Sequence, residues 1–140
     1  MDYIRKGNTI FLRLEKGEEI TESLLQIAER EKIRAASVSG IGATDDCTVG
    51  VFDIEKKRYD TFLYTGNREI NCLVGNISRR ENAPYVHTHI TCTGKDGRVV
   101  GGHLLRAVVS LTAEIVLTLS DVNIGRKHDD TLGINLWDFS

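Results

Sequence analysis

The chain has 140 residues, 41% hydrophobic and 27% charged, with a formal net charge of -2. That size suits one domain able to bury a single core, so residues 1–140 are read as one unit. The slightly acidic balance excludes a general attraction to phosphate backbones, which draws on a clustered surplus of lysine and arginine.

The start MDYIRKGNTI holds no apolar stretch of signal-peptide length, and no uninterrupted apolar run approaches the roughly 18 residues of a membrane span. A soluble, cytoplasmic protein is therefore expected. From Thr9 to Leu14, Ile10, Leu12 and Leu14 alternate with Phe11 and Arg13, the period of a half-buried strand. A helix over about residues 19–32 follows, because Ile20, Leu24, Ile27 and Ala28 recur at helical spacing. Glu18, Glu19, Glu22, Gln26, Glu29 and Arg30 form its outer face, with acids near the start and Arg30 and Lys32 near the end, as the helix dipole favours.

Beyond the helix come short runs rich in Val, Ile, Thr and Tyr, punctuated by Gly, Asn and Asp. They are Ala35 to Gly40, Thr48 to Asp53, Arg58 to Tyr64, Ile70 to Ser78, Tyr85 to Thr93 and Val108 to Ser120. They predict an α+β fold: a largely antiparallel sheet, or a partly closed barrel, packed on the one main helix. The three cysteines, Cys47, Cys72 and Cys92, are widely spaced and odd in number, so reduced thiols are expected. The tail from Gly125 is polar until Leu132, Ile134, Leu136, Trp137 and Phe139, an apolar cluster that needs a docking surface on this chain or on a neighbouring subunit.

The chemistry concentrates in Tyr85-Val86-His87-Thr88-His89-Ile90 and Gly101-Gly102-His103-Leu104. Residues two apart on a strand face the same side, so His87 and His89 form half a metal site. A three-residue hairpin loop of Lys95, Asp96 and a left-handed Gly97 pairs residues whose numbers sum to 192, which brings His103 opposite His89 on the same face. A two-residue loop would send His103 to the other face. Three imidazoles with an open fourth position are the donor set of a reactive zinc centre, although nickel, iron or manganese also accept imidazole. Cys92 has the wrong parity to be the fourth ligand. The plain alternative is that His87 and His89 belong to a polar strand and His103 to a turn.

Taken with Arg13, Gly17, Ser39-Gly40-Ile41-Gly42 and Gly75-Asn76-Ile77, the His87-Thr88-His89 and Gly101-Gly102-His103-Leu104 segments make the chain resemble the PPC domain shared by plants and prokaryotes. The resemblance runs from about Ile10 to Leu119. It implies an α+β domain that assembles as a homotrimer, with the prokaryotic histidines holding a metal, and a fold related to acetolactate decarboxylase. Plant members carry AT-hooks ahead of the domain and are linked to DNA. This sequence shows no such segment, and its short basic runs, such as Lys56-Lys57-Arg58, have acidic neighbours.

Glu114, in the apolar run Val108 to Leu117, is the candidate catalytic carboxylate: it could orient an imidazole or act as a general base. A salt bridge to Arg34 or Arg106 is its bland alternative. His128, flanked by charged residues, is read as a solvated loop residue outside the site. The resulting expectation is a homotrimer with a three-histidine zinc site that binds or transforms a small oxygen-rich ligand. The competing expectation is a DNA-binding regulator in which the metal is structural.

Overall fold

The alternation at the N-terminus is realised residue by residue: Ile10, Leu12 and Leu14 are buried, whereas Phe11 and Arg13 are exposed. In the computed structural model, which describes all of residues 1–140, the elements are β1 (Asp2–Lys6), β2 (Thr9–Glu15), α1 (Ile20–Arg30), β3 (Ala35–Asp53), β4 (Arg58–Arg80), β5 (Ala83–Gly94), β6 (Val99–Ser120), β7 (Gly125–Asp129) and β8 (Ile134–Asp138). Every strand pairing is antiparallel. A six-stranded sheet runs in the order β1-β2-β6-β3-β4-β5, and an added β5–β6 pairing closes β3, β4, β5 and β6 into a ring. The α+β expectation thus resolves into a mostly antiparallel, partly ringed sheet with one short helix.

Four expected short strands merge into two long ones. Ala35 to Gly40 and Thr48 to Asp53 are both parts of β3, joined through Thr44. A polar Thr-Asp-Asp sequence reads as a break, but the Thr44 hydroxyl is fully buried and donates to the Val108 carbonyl at 2.7 Å. Register shifts on either side of Thr44 mark bulges that bend the strand without ending it. Likewise β4 runs unbroken through Thr65, Gly66 and Asn67.

The helix covers 11 residues and buries Ile20, Ser23, Leu24, Ile27 and Ala28, so its apolar stripe is as expected. Each large aliphatic side chain so buried stabilises the fold by about 1.5–3 kcal/mol. Glu19 is not an outer-face residue. It caps the helix, accepting from the Glu22 amide at 2.6 Å, and its other oxygen accepts from the Ala107 amide of β6 at 2.9 Å.

The core lies between α1 and the inner face of the sheet and includes Leu73, Ile77, Ile90, Leu104 and Leu117. Cys47 and Cys92 are buried there and Cys72 is exposed; all three are free thiols. A hydrogen bond with Cys47, followed by burial, pushes the Cys92 thiol up. No helix is long and apolar enough to cross a membrane. The tail forms the hairpin β7–β8, which docks on its own chain. The Arg79 amide donates to the Ile124 carbonyl at 2.9 Å, and Lys57 reaches the Asp130 carbonyl at 2.9 Å. Leu132, Leu136, Trp137 and Phe139 nevertheless stay exposed.

Candidate metal centre

The turn between β5 and β6 sets the site. Gly97 has φ +74°, a left-handed conformation that side chains disfavour, and its amide donates to the Gly94 carbonyl at 2.9 Å. The resulting register pairs His89 with His103 and Cys92 with Val100. On β5, Thr88, Ile90 and Cys92 point into the core, so His87 and His89 lie on the outer face of the sheet. On its other side His103 pairs with Gly50 of β3. A Cβ at Gly50 would meet the Tyr59 ring at 2.6 Å; its absence lets Tyr59 stack on His103, with centroids 4.8 Å apart and planes at 22°.

The three imidazoles therefore converge. Ring centroids are 5.4 Å apart for His87 and His89, 5.0 Å for His87 and His103, and 5.5 Å for His89 and His103. One ligand nitrogen from each lies within 4.8 Å of the others. Three imidazoles bound at about 2.0–2.1 Å to one tetrahedral ion would place their ring centres roughly 5 Å apart. The spacing fits a single ion after small ring rotations. His103 Nδ1 is buried without a hydrogen-bond partner, an orphaned donor-acceptor that coordination would satisfy.

The electrostatics favour uncharged rings. Burial, followed by the nearby His87 and His89, pushes His103 down to about 4. Burial, followed by Arg126, lowers His87. Neutral imidazole is the form that coordinates a metal, so the surroundings hold these two rings in the required state at neutral pH.

The sequence reading missed two contributors. Tyr59 walls the site on the side of His103. Arg126, on β7, crosses over to it: its Nε donates to Ser78 Oγ at 2.8 Å, Nη1 to the Asn135 carbonyl at 2.9 Å and Nη2 to Asn76 Oδ1 at 2.8 Å. The guanidinium lies 4.5 Å from the centroid of the Tyr85 ring, and Nη2 is 3.5 Å from His87 Nδ1. Within its own segment Arg126 reads as one of several solvated charges. Only the docking of the hairpin reveals where it points.

Glu114 is not part of this cluster. It is exposed on β6 opposite Arg13 and Ile41, separated from His103 by roughly 35 Å of extended strand. The grooves it lines, one with Ile4 and Phe11 and one with Ile41 and Leu111, contain none of the histidines. Glu114 therefore does not line the histidine cluster of its own chain. It also forms no salt bridge to Arg106, whose partner is Asp46. His128 stands apart from the three histidines, as expected, but on strand β7, where it meets Asn135 Oδ1 at 3.1 Å.

Among solved structures, a Bacteroides thetaiotaomicron protein provisionally named as DNA-binding is 32% identical, with a TM-score of 0.95 over 99% of this chain and 96% of that one. A PPC protein from Pyrococcus horikoshii is 34% identical, with a TM-score of 0.88 over 94% and 92% of the two chains. A metal-containing protein from Archaeoglobus fulgidus is 35% identical, with a TM-score of 0.86 over 98% of both. A Staphylococcus aureus protein described as similar to alpha-acetolactate decarboxylase shares the fold alone, at 16% identity and a TM-score of 0.57 over 82% of this chain and 53% of that one. No curated protein matches significantly. Residues 1–121 match the Plants and Prokaryotes Conserved (PCC) domain, and the chain belongs to that family.

Proposed function

We propose that this protein is a homotrimer in which His87, His89 and His103 hold one zinc ion per chain and present it to a small oxygen-rich ligand that is bound or transformed there. The observation that carries the reading is the convergence of three imidazoles with ring centroids 5.0 to 5.5 Å apart. The metal content of the Archaeoglobus fulgidus relative supports it. Zinc, when bound, supplies Lewis acidity toward an oxygen of the ligand. The chain's own part is to keep His87 and His103 neutral, to wall one side with Tyr59 and to bring Arg126 alongside.

The trimer reading draws on the outer face of the sheet. Across the strands Ile4 pairs with Phe11, Phe11 with Val116, Val116 with Ser39, Ser39 with Val74, and Val74 with His89. Directly paired residues share a face, so an apolar row ends at the histidines. Ile4, Phe11 and Val74 are 72%, 58% and 46% exposed, which leaves a surface suited to a second copy of the chain.

Elemental analysis of the purified protein tests the metal reading. About one zinc per chain is expected, with none after the combined change His87→Ala, His89→Ala and His103→Ala, and full zinc in His128→Ala. Unchanged metal in the triple variant refutes the assignment. The name of the Bacteroides relative favours a second reading, a DNA-associated protein with a structural metal. The net charge of -2 weighs against it.

A further inference from the structure

Arg126 has no acidic partner. Three of its donors are satisfied by neutral oxygens, those of Ser78, Asn135 and Asn76. A guanidinium carries five N–H groups, so up to two remain, one on Nη1 and one on Nη2, and Nη2 lies 3.5 Å from His87 Nδ1. No carboxylate acts on Arg126, His87 or His103. A partly buried cation matched only by neutral acceptors retains much of its desolvation cost. A divalent ion on the three imidazoles would add two positive charges beside it, again with no protein carboxylate to balance them.

We propose that Arg126 is an anion-binding residue of the histidine centre, and that the ligand taken there is a small carboxylate lying between the imidazole cluster and the Arg126 guanidinium. This rests on the reading of the histidines as a metal site. A carboxylate is favoured over a phosphate because Arg126 has at most two N–H groups left to give. Two coplanar oxygens match what a guanidinium edge can give. Tyr59 stacked on His103 and Tyr85 against the Arg126 guanidinium add two aromatic faces beside the cluster, which suit a small ligand with an apolar or hydroxyl-bearing substituent.

The test uses the full chain loaded with zinc, or with cobalt so that the visible spectrum reports on the ion. Metal content is measured first, and glycolate, its uncharged counterpart glycolamide and inorganic phosphate are then titrated by calorimetry. Glycolate is expected to bind and to shift the cobalt spectrum, with glycolamide at least about tenfold weaker. Arg126→Ala should weaken glycolate by about 10- to 100-fold, the range of a charge-assisted hydrogen bond, while retaining the metal. Arg126→Lys, which keeps the charge and loses the fork, should fall between. Ser78→Ala, which removes one anchor of the guanidinium, should weaken glycolate less than Arg126→Ala. If Arg126→Ala unfolds, the lysine and Ser78 variants decide. Full metal with glycolate affinity within twofold of wild type in Arg126→Ala or Arg126→Lys overturns the proposal, as does glycolamide binding equally well or phosphate binding more tightly than glycolate. Wild-type protein without metal instead removes the underlying metal reading, and is seen before any ligand is added.

Discussion

Acid should release the metal, yet His103 should contribute almost nothing to the release. An imidazole of ordinary pKa near 6.5 is protonated about 30 to 1 at pH 5, so each such ligand weakens binding by about 30-fold between neutral pH and pH 5. His103, pushed down to about 4 by burial, is still neutral about ten to one at pH 5, and its proton competition there amounts to only about 1.1-fold. Zinc affinity measured against a chelating indicator at pH 7, 6 and 5 should fall in wild type. His103→Ala should bind more weakly at every pH but lose affinity with the same slope. A slope flatter by about one proton in the variant would mean that His103 titrates inside that window, and would refute the burial argument. The same depression has a consequence for the metal-free protein. With a folded pKa of about 4 against 6.5 unfolded, the contribution of neutral His103 to stability is complete above about pH 6.5 and is lost as pH falls toward 4, because the unfolded chain takes up the proton first. Burial shifts His87 in the same direction. Urea unfolding without metal should therefore show lower stability at pH 5 than at pH 7.

Phe11→Asp places a charge in the middle of the exposed apolar row without touching the core, and light scattering should report monomers in place of a trimer. A persistent trimer would move the interface elsewhere, and a wild-type monomer would end the trimer reading. Duplex DNA should bind weakly at physiological salt, since Lys56 is paired with Asp53 and Lys57 with the Asp130 carbonyl. Sub-micromolar affinity with a steep salt slope, at about 0.9 per phosphate contacted, would promote the DNA-associated reading.

The histidine cluster was legible because two local rules suffice to build it. Strand parity places His87 beside His89, and a three-residue loop ending in a left-handed Gly97 places His103 opposite. Both are decided within a few residues of the site. The stripe of α1 was legible for the same reason. The exposure of Glu114 was not legible, because Val108 to Leu117 looks buried on both faces. Val109, Ala113, Ile115 and Leu117 do enter the core, but Leu111 is 73% exposed, beside a bulge, and Val116 belongs to the outer apolar row. Sequence alone does not separate a core from an apolar surface awaiting a partner. Arg126 and Tyr59 were missed because each reaches the site through a contact between distant elements: the docked hairpin for Arg126, and the bare Gly50 backbone for Tyr59.

The position of the cluster bears on what must surround it. Histidines on the inner face of a ringed sheet would be sealed by the core, whereas these lie on the outer face, where water competes for both ion and ligand. One flank is closed by Tyr59 stacked on His103, and another by Arg126 and Tyr85 beneath the β7–β8 hairpin. The flank toward Val74 and Phe11 stays open in the single chain, and His89, paired with Val74, is the exposed member of the three. That flank is also where the apolar row ends. A second copy seated on Ile4, Phe11 and Val74 would therefore narrow the last open side of the histidine cluster. If the chain assembles through that surface, assembly and ligand binding would be coupled, because the surface that most needs a partner to leave water adjoins the side chains whose interactions strengthen when water is excluded.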